Sequence, residues 1–173
     1  IATAVFIGAD AVMLSDETAA GKHPIKAVQI MERVIKHAQE SGILNTGYVA
    51  ESIDSHTKQG AISSAIITLA DSLDVSAIIA ETKSGATAFK ISSRRSHHPI
   101  IAVTSVERVA QQLAIVYSVK SFIRKDEHLQ AQKFTDWLKL QKVLKKGDVV
   151  VTVSGQHPGV VGTTDTIKVR AIE

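Results

Sequence analysis

Short apolar runs alternate along the chain with stretches in which apolar residues recur every three or four positions, and this alternation predicts most of the elements. Residues 1–6 read as a helical phrase with Gly8 as its stop. The phrase lacks a starting methionine, as expected of a fragment cut from something longer. Residues 11–14, Ala-Val-Met-Leu, form a fully apolar run of the kind buried on both faces of a parallel sheet. A polar loop over 15–23 leads to Pro24, which suits the first helical position because an N–H there has no partner to lose. Val28, Met31, Ile35 and Ala38 then share one helical face, and the helix ends before Gly42. Residues 10–42 therefore predict one strand–loop–helix unit.

The periodicity lapses over 43–56, which hold Asn45 and Gly47 and read as a linker into a second domain over 57–173. The next helix carries Ala61, Ile62, Ala65, Ile66, Leu69 and Leu73 on one face. Strands follow at 77–80, 100–103, 119–123 and 149–153, with helices at 87–94, through Val109 to Ala114, and over 129–144. The last strand, 166–172, alternates, with Ile167, Val169 and Ala171 expected inward and Lys168 and Arg170 outward, which marks an edge strand. The pattern predicts an α/β fold: a doubly wound, mostly parallel sheet with an antiparallel edge strand.

Composition narrows the chemistry. The chain has 173 residues, 45% hydrophobic and 21% charged, enough to bury a real core and unlike a disordered tail. With Cys 0, disulfide scaffolds, thiolate metal sites and cysteine nucleophiles are excluded. No apolar run approaches a membrane span, so a soluble, cytoplasmic protein without a membrane partner is expected. A net charge of +3 with 4% aromatic residues argues against nucleic acid and fits an anionic small molecule better.

The stretch Ala80-Glu-Thr-Lys-Ser-Gly-Ala-Thr87 is the most informative. A strand ends there and small or hydroxylated residues lead directly into a helix. Thr82, Ser84 and Thr87 offer hydroxyls, Lys83 a cation, and Gly85 and Ala86 let the backbone close around an anion. That is a phosphate cradle by its physics, though neither a Walker loop nor GxGxxG. An ordinary capped helix start reads equally well. A second loop, between Gly155 and Thr166, carries His157, Gly159, Gly162, Thr163 and Thr164 and reads either as an effector loop or as a plain connection. The two loops face one ligand only if the strand order brings them together.

Other residues argue for little. The seven histidines lack ligand spacing, and adjacent His97 and His98 would point apart in a strand, so no metal site is expected. Asp148, Ser154 and His157 lack a nucleophile elbow. Asp16 and Glu17 read as loop charge or a helix cap, Trp137 as core, and Arg94-Arg95 as a solvated face or an anion contact.

The phrase Gly8-Ala-Asp-Ala-Val-Met-Leu-Ser-Asp-Glu-Thr-Ala-Ala-Gly-Lys-His-Pro24 closely resembles the last barrel strand and following loop of the pyruvate kinase family. In the same order, residues 81–88 resemble that family's T-x-S-G-x-T-A loop, 99–104 its P-I-I-A-V-T strand, 146–148 its K-G-D turn and 162–166 its G-x-T-N-T ending. The resemblance covers this whole chain but only about the carboxyl-terminal third of a family member. It implies that residues 1–42 are a leftover βα unit of a (β/α)8 barrel and that 57–173 are the C-terminal regulatory domain. The full-length parent would transfer a phosphoryl group from phosphoenolpyruvate to ADP in glycolysis, using Mg2+ and K+ held by parts outside this chain. The fragment itself would be inactive and hold no cofactor. It would bind a sugar-phosphate or nucleotide effector through residues 82–87, contact the rest of the barrel, and help to form a homotetramer. Asp16 stands where most members have Gly, and Gln130 falls near the place of an Arg that grips a second phosphate in bisphosphate-responsive members, so a monophosphate fits better. A free-standing phospholigand-binding or oligomerisation module without catalysis is the alternative.

Overall fold

In the computed structural model, which describes residues 1–41, 57–127, 130–155 and 164–173, all five strands lie between residues 77 and 171. They are β1 (Ala77–Glu81), β2 (Ile100–Thr104), β3 (Val119–Ile123), β4 (Val149–Gly155) and β5 (Thr164–Ala171). The helices are α1 (Ala2–Phe6), α2 (Asp16–Ala19), α3 (Pro24–Glu40), α4 (Lys58–Leu73), α5 (Ala86–Ser92), α6 (Glu107–Leu113) and α7 (Gln130–Leu140). The chain divides into two compact units, Ile1–Ser52 and Ile53–Glu173. The expected linker, 43–56, lies outside the described residues, as do His157, Gly159, Gly162 and Thr163 of the second candidate loop.

The second unit is one sheet of order β3-β2-β1-β4-β5. β1 runs parallel to both neighbours, pairing Ile78 with Ile100 on one side and with Val151 on the other. β2 and β3 are parallel, whereas β4 and β5 are antiparallel, with Val151 opposite Val169. Side chains alternate across a strand, so β1 sends Ile78 and Ala80 to one face and Ala77 and Ile79 to the other. The first face is covered by α4, α5 and α6 through Ile66, Ala88, Ile91, Val109 and Leu113. The second is covered by α7 through Ala131, Phe134 and Leu138. With helices on both sides, the central strands have no polar face, which is why residues 77–80 and 100–103 run apolar without interruption and β4 admits only Thr152 before Ser154. The mostly parallel doubly wound sheet and its antiparallel edge match the expectation.

The expectations for two strands are corrected. Residues 11–14 form no strand. Met13 is 87% exposed, and among the described residues no ladder partner exists for this run. An apolar run becomes a strand only when a neighbour takes its N–H and C=O groups, so composition alone does not make one. In β5, Ile167 does pack on the core beside Val153, but Val169 is 47% exposed and Ala171 is exposed as well. Arg170, expected in water, is half-buried, and its guanidinium donates to the Gln132 carbonyl and to Asp136 at 3.2 Å each. Alternation in an edge strand predicts which side a residue takes but not whether anything covers it.

In the first unit α3 begins at Pro24 and packs on α1 and α2. Ala38 is buried and Met31 and Ile35 are half-buried, but Val28, expected on the same covered face, is 46% exposed. The turn α2 falls inside the stretch expected to be loop.

Candidate functional site

After β1 the chain lays β2 and then β3 to one side, and it returns past β1 to place β4 on the other. The strand order therefore reverses between β1 and β4, which run parallel. Such switch points are where open α/β sheets bind ligands. Residues 82–85 leave β1 there, and the chain beyond Gly155 leaves β4 there.

The loop after β1 is built by its own hydrogen bonds. The Thr82 amide extends the ladder by donating to the Val103 carbonyl at 2.9 Å. The Thr82 side chain is buried, and its hydroxyl accepts from the Gly85 amide at 2.9 Å, closing a tight turn. Gly85 sits at φ 83, and the Phe89 amide donates to its carbonyl at 3.0 Å to begin α5. Ser84 and Ala86 are exposed and Thr87 is half-buried. Thr82 therefore shapes the loop, and Ser84, the following backbone and Thr87 face outward from it. No side chain caps α5, so an ordinary side-chain-capped helix start is not what the geometry shows.

One described residue of the second set reaches the first loop. Thr87 Oγ1 lies 2.7 Å from Thr164 Oγ1, a residue at the first position of β5. Either hydroxyl can donate, so each retains the capacity to turn toward a third group. Thr164 is the described member of the second loop set, and it stands beside the first loop because β4 is the neighbour of β1.

Lys83 is held in an ion pair. Its ammonium donates to Asp126 and to Ser105 Oγ, the latter at 2.7 Å. Hydrogen bonding from Lys83 holds the Asp126 carboxyl below its ordinary value, with Ser105 assisting. Close by in sequence, Glu81 moves the other way: burial raises its pKa, partly offset by the Ala131 amide that its carboxylate accepts, and the Asp126 charge adds to the rise. The loop's one lysine thus spends much of its charge within the protein. Ser105 and Asp126 carry no motif in the sequence. They follow β2 and β3, so they reach this edge of the sheet only once the parallel order is known.

The remaining candidates separate. Arg94 donates to the Gly60 carbonyl at 3.2 Å, and the Arg95 guanidinium lies 4.8 Å over the Tyr117 ring, so neither is a merely solvated face. Trp137 stacks on Phe134 at 5.3 Å with the Arg124 guanidinium 4.4 Å above it, a core satellite as expected. Asp148 precedes β4 and Ser154 lies near its far end, about 20 Å apart at ~3.3 Å per residue, which removes any triad. Glu17 accepts from the Ser15 amide at 3.2 Å, the cap-like role expected, and backbone hydrogen bonds lower its pKa. Gln130 is 2% exposed. His97 and His98 lie in a bend before β2, outside any strand, so their rings do not diverge: the centroids are 3.9 Å apart.

Comparison with known proteins places these features in a family. Residues 60–170 match the family described as pyruvate kinase, alpha/beta domain. The chain is similar to Pyruvate kinase 2 of Synechocystis sp., 38% identical over 176 residues, with 100% of this chain and 29% of that protein covered. It is similar to the pyruvate kinase of Thermotoga maritima, 36% identical over 176 residues and covering 100% and 37% of the two. With the pyruvate kinase of Clostridium acetobutylicum the identity is 38% over 185 residues, again covering 100% and 37%. The chain spans about a third of the length of the curated relatives it matches.

Proposed function

The chain belongs to the pyruvate kinase family through its C-terminal α/β domain, and from that premise we propose that it is the regulatory and assembly part of a pyruvate kinase, binding the phosphate of a sugar-phosphate or nucleotide effector at residues 82–87. One observation carries the reading: the 2.7 Å approach of the Thr87 and Thr164 hydroxyls, which joins the loop after β1 to the strand entered from the loop after β4. A phosphate seated there would take hydrogen bonds from Ser84, Thr87 and Thr164 and from outward amides after Gly85. Charge-assisted bonds of this kind are short and strong. His157, Gly159, Gly162 and Thr163 are proposed to close over it from the second loop.

The ion pair of Lys83 with Asp126 supports an anion of modest charge, since little free positive field is left for a second phosphate. The buried Gln130, where bisphosphate-responsive members present Arg, argues the same way. A monophosphate is the proposed effector class.

For the full-length parent we propose phosphoryl transfer from phosphoenolpyruvate to ADP in the cytoplasm, as a tetramer. Its Mg2+ and K+ would be held outside this chain. Among the described residues the one cluster of three metal-capable side chains is Asp71, His97 and His98. Its imidazole nitrogens do not suit Mg2+, which demands oxygen ligands. No catalytic step is assigned to this chain, which by itself is expected to be inactive. Among the described residues no helix is long and apolar enough to cross a membrane.

The test is calorimetry of the chain with AMP and glucose 6-phosphate, before and after Thr87→Val. The substitution is expected to weaken the phosphorylated ligand by roughly 1–3 kcal/mol, the loss from an unmade hydrogen bond to a charged group. Equal binding by both proteins would move the site away from this loop.

A further inference from the structure

At the amino end of β2, the opposite edge of the sheet from residues 82–87, we propose a site for a divalent transition-metal ion, Zn2+ by preference, made by Asp71, His97 and His98. The ligand-capable atoms of these three side chains all lie within 4.8 Å of one another.

His98 sets the chemistry. Its side chain is 3% exposed, and its Nδ1 lies 2.8 Å from the Val75 carbonyl oxygen. A carbonyl only accepts, so Nδ1 carries a proton, and a neutral ring then presents a bare lone pair at Nε2. That nitrogen is buried and makes no hydrogen bond in the structure. Its neighbour is a carboxylate: Asp71 Oδ1 stands 3.2 Å away, close enough to pair but outside hydrogen-bond geometry. A lone pair facing a carboxylate is repulsive unless a cation lies between them. A second proton would serve with these two groups alone. The third group favours a metal, because the exposed His97 ring packs 3.9 Å from His98 and brings another nitrogen donor.

The donor set and its support fit zinc. Two imidazoles are borderline ligands and zinc also accepts a carboxylate oxygen, while three protein ligands leave a fourth position to water. Zn–N and Zn–O bonds of ~2.0–2.1 Å put tetrahedral ligand atoms about 3.4 Å apart. The Asp71–His98 pair already has that spacing. Asp71 and His97 are both exposed, so their side chains can turn to complete it, while His98 stays fixed. The Val75 carbonyl on Nδ1 is the outer partner that orients a ligating histidine. Occupied, the site would join the last turn of α4 to the segment entering β2 and stabilise the second unit.

The experiment uses the full 173-residue chain stripped with a chelator and titrated with Zn2+ by calorimetry, with thermal unfolding and the visible spectrum of the Co2+ form as further readouts. Expected are one equivalent of bound zinc, a higher unfolding temperature with zinc, and an intense Co2+ spectrum of low coordination number. Asp71→Asn and His97→Ala should each lower the zinc affinity at least tenfold and abolish the thermal shift. Both positions are exposed, and an unchanged unfolding temperature without metal certifies that each variant folds. Mg2+ in place of Zn2+ should give no thermal shift. The proposal is overturned if the unmodified chain binds no stoichiometric zinc, if either variant binds it as tightly as the unmodified chain, or if Mg2+ stabilises equally.

Discussion

Gly85 shows how one residue ties the candidate site to the core. At φ 83 it lies in left-handed backbone, and a Cβ there would stand 3.2 Å from Val109 Cγ1 and 3.4 Å from Leu113 Cδ2. Those are buried side chains of α6, packed and unable to retreat freely. Gly85→Ala therefore adds strained dihedrals to a crowded contact and should destabilise the second unit by roughly 1–3 kcal/mol, read as a lower urea midpoint at unchanged slope. Glu81 tests the electrostatics of the same edge. Its folded pKa is raised, chiefly by burial, so the protonated form suits the folded state better. Its contribution is most favourable below the ordinary carboxylate range and is lost as pH rises through the raised folded value. Glu81→Gln keeps an acceptor for the Ala131 amide and removes the buried charge. It should raise the melting temperature at pH 7 and give no gain near pH 3, and a gain equal at both would refute the assignment. At this scale the sequence was informative about residue type but not role. Thr82 and Lys83 were legible as polar groups beside a turn. That one folds back on Gly85 and the other is claimed by Asp126 depends on neighbours brought in from far along the chain.

At the scale of elements, periodicity worked where both partners of an element are present. The runs at β1, β2 and β4 were legible because burial on two faces leaves a direct mark on residue choice. The stripe of α4 was legible only at Ile66 and its half-buried neighbours Ile62 and Leu69: Ala61, Ala65 and Leu73 are exposed, and Gly60, Ser63 and Ala70 are buried in their place. The strand expected at 11–14 and the inward row of β5 were not legible. Both turn on whether another element covers the segment, which no local pattern records. A concrete consequence follows for 11–14. Lacking ladder bonds, its amides should exchange with solvent several orders of magnitude faster than those of Ile100–Thr104, where β2 is paired on both sides. Hydrogen exchange by mass spectrometry separates the two segments readily. Protection of 11–14 equal to that of β2 would mean the segment is paired after all.

For the whole molecule, the decisive fact is strand order, which the sequence does not record. In the sequence each loop is ambiguous by itself: one is a turn with hydroxyls, the other a long connection. The order β3-β2-β1-β4-β5 puts β4 beside β1 and β5 beside β4, and the contact of Thr87 with Thr164, the first residue of β5, follows. Family membership could be read from motifs spread along the chain, and the family match over 60–170 agrees with them. The central claim is that this switch point is a phosphate site. Amide chemical-shift mapping of the isotope-labelled chain, titrated with a sugar monophosphate, tests it most directly. Saturable shifts concentrated at residues 82–87 and at Thr164, with β2 and α7 unmoved, are the predicted result; saturable shifts that leave 82–87 unchanged, or no shifts at millimolar ligand, would contradict it.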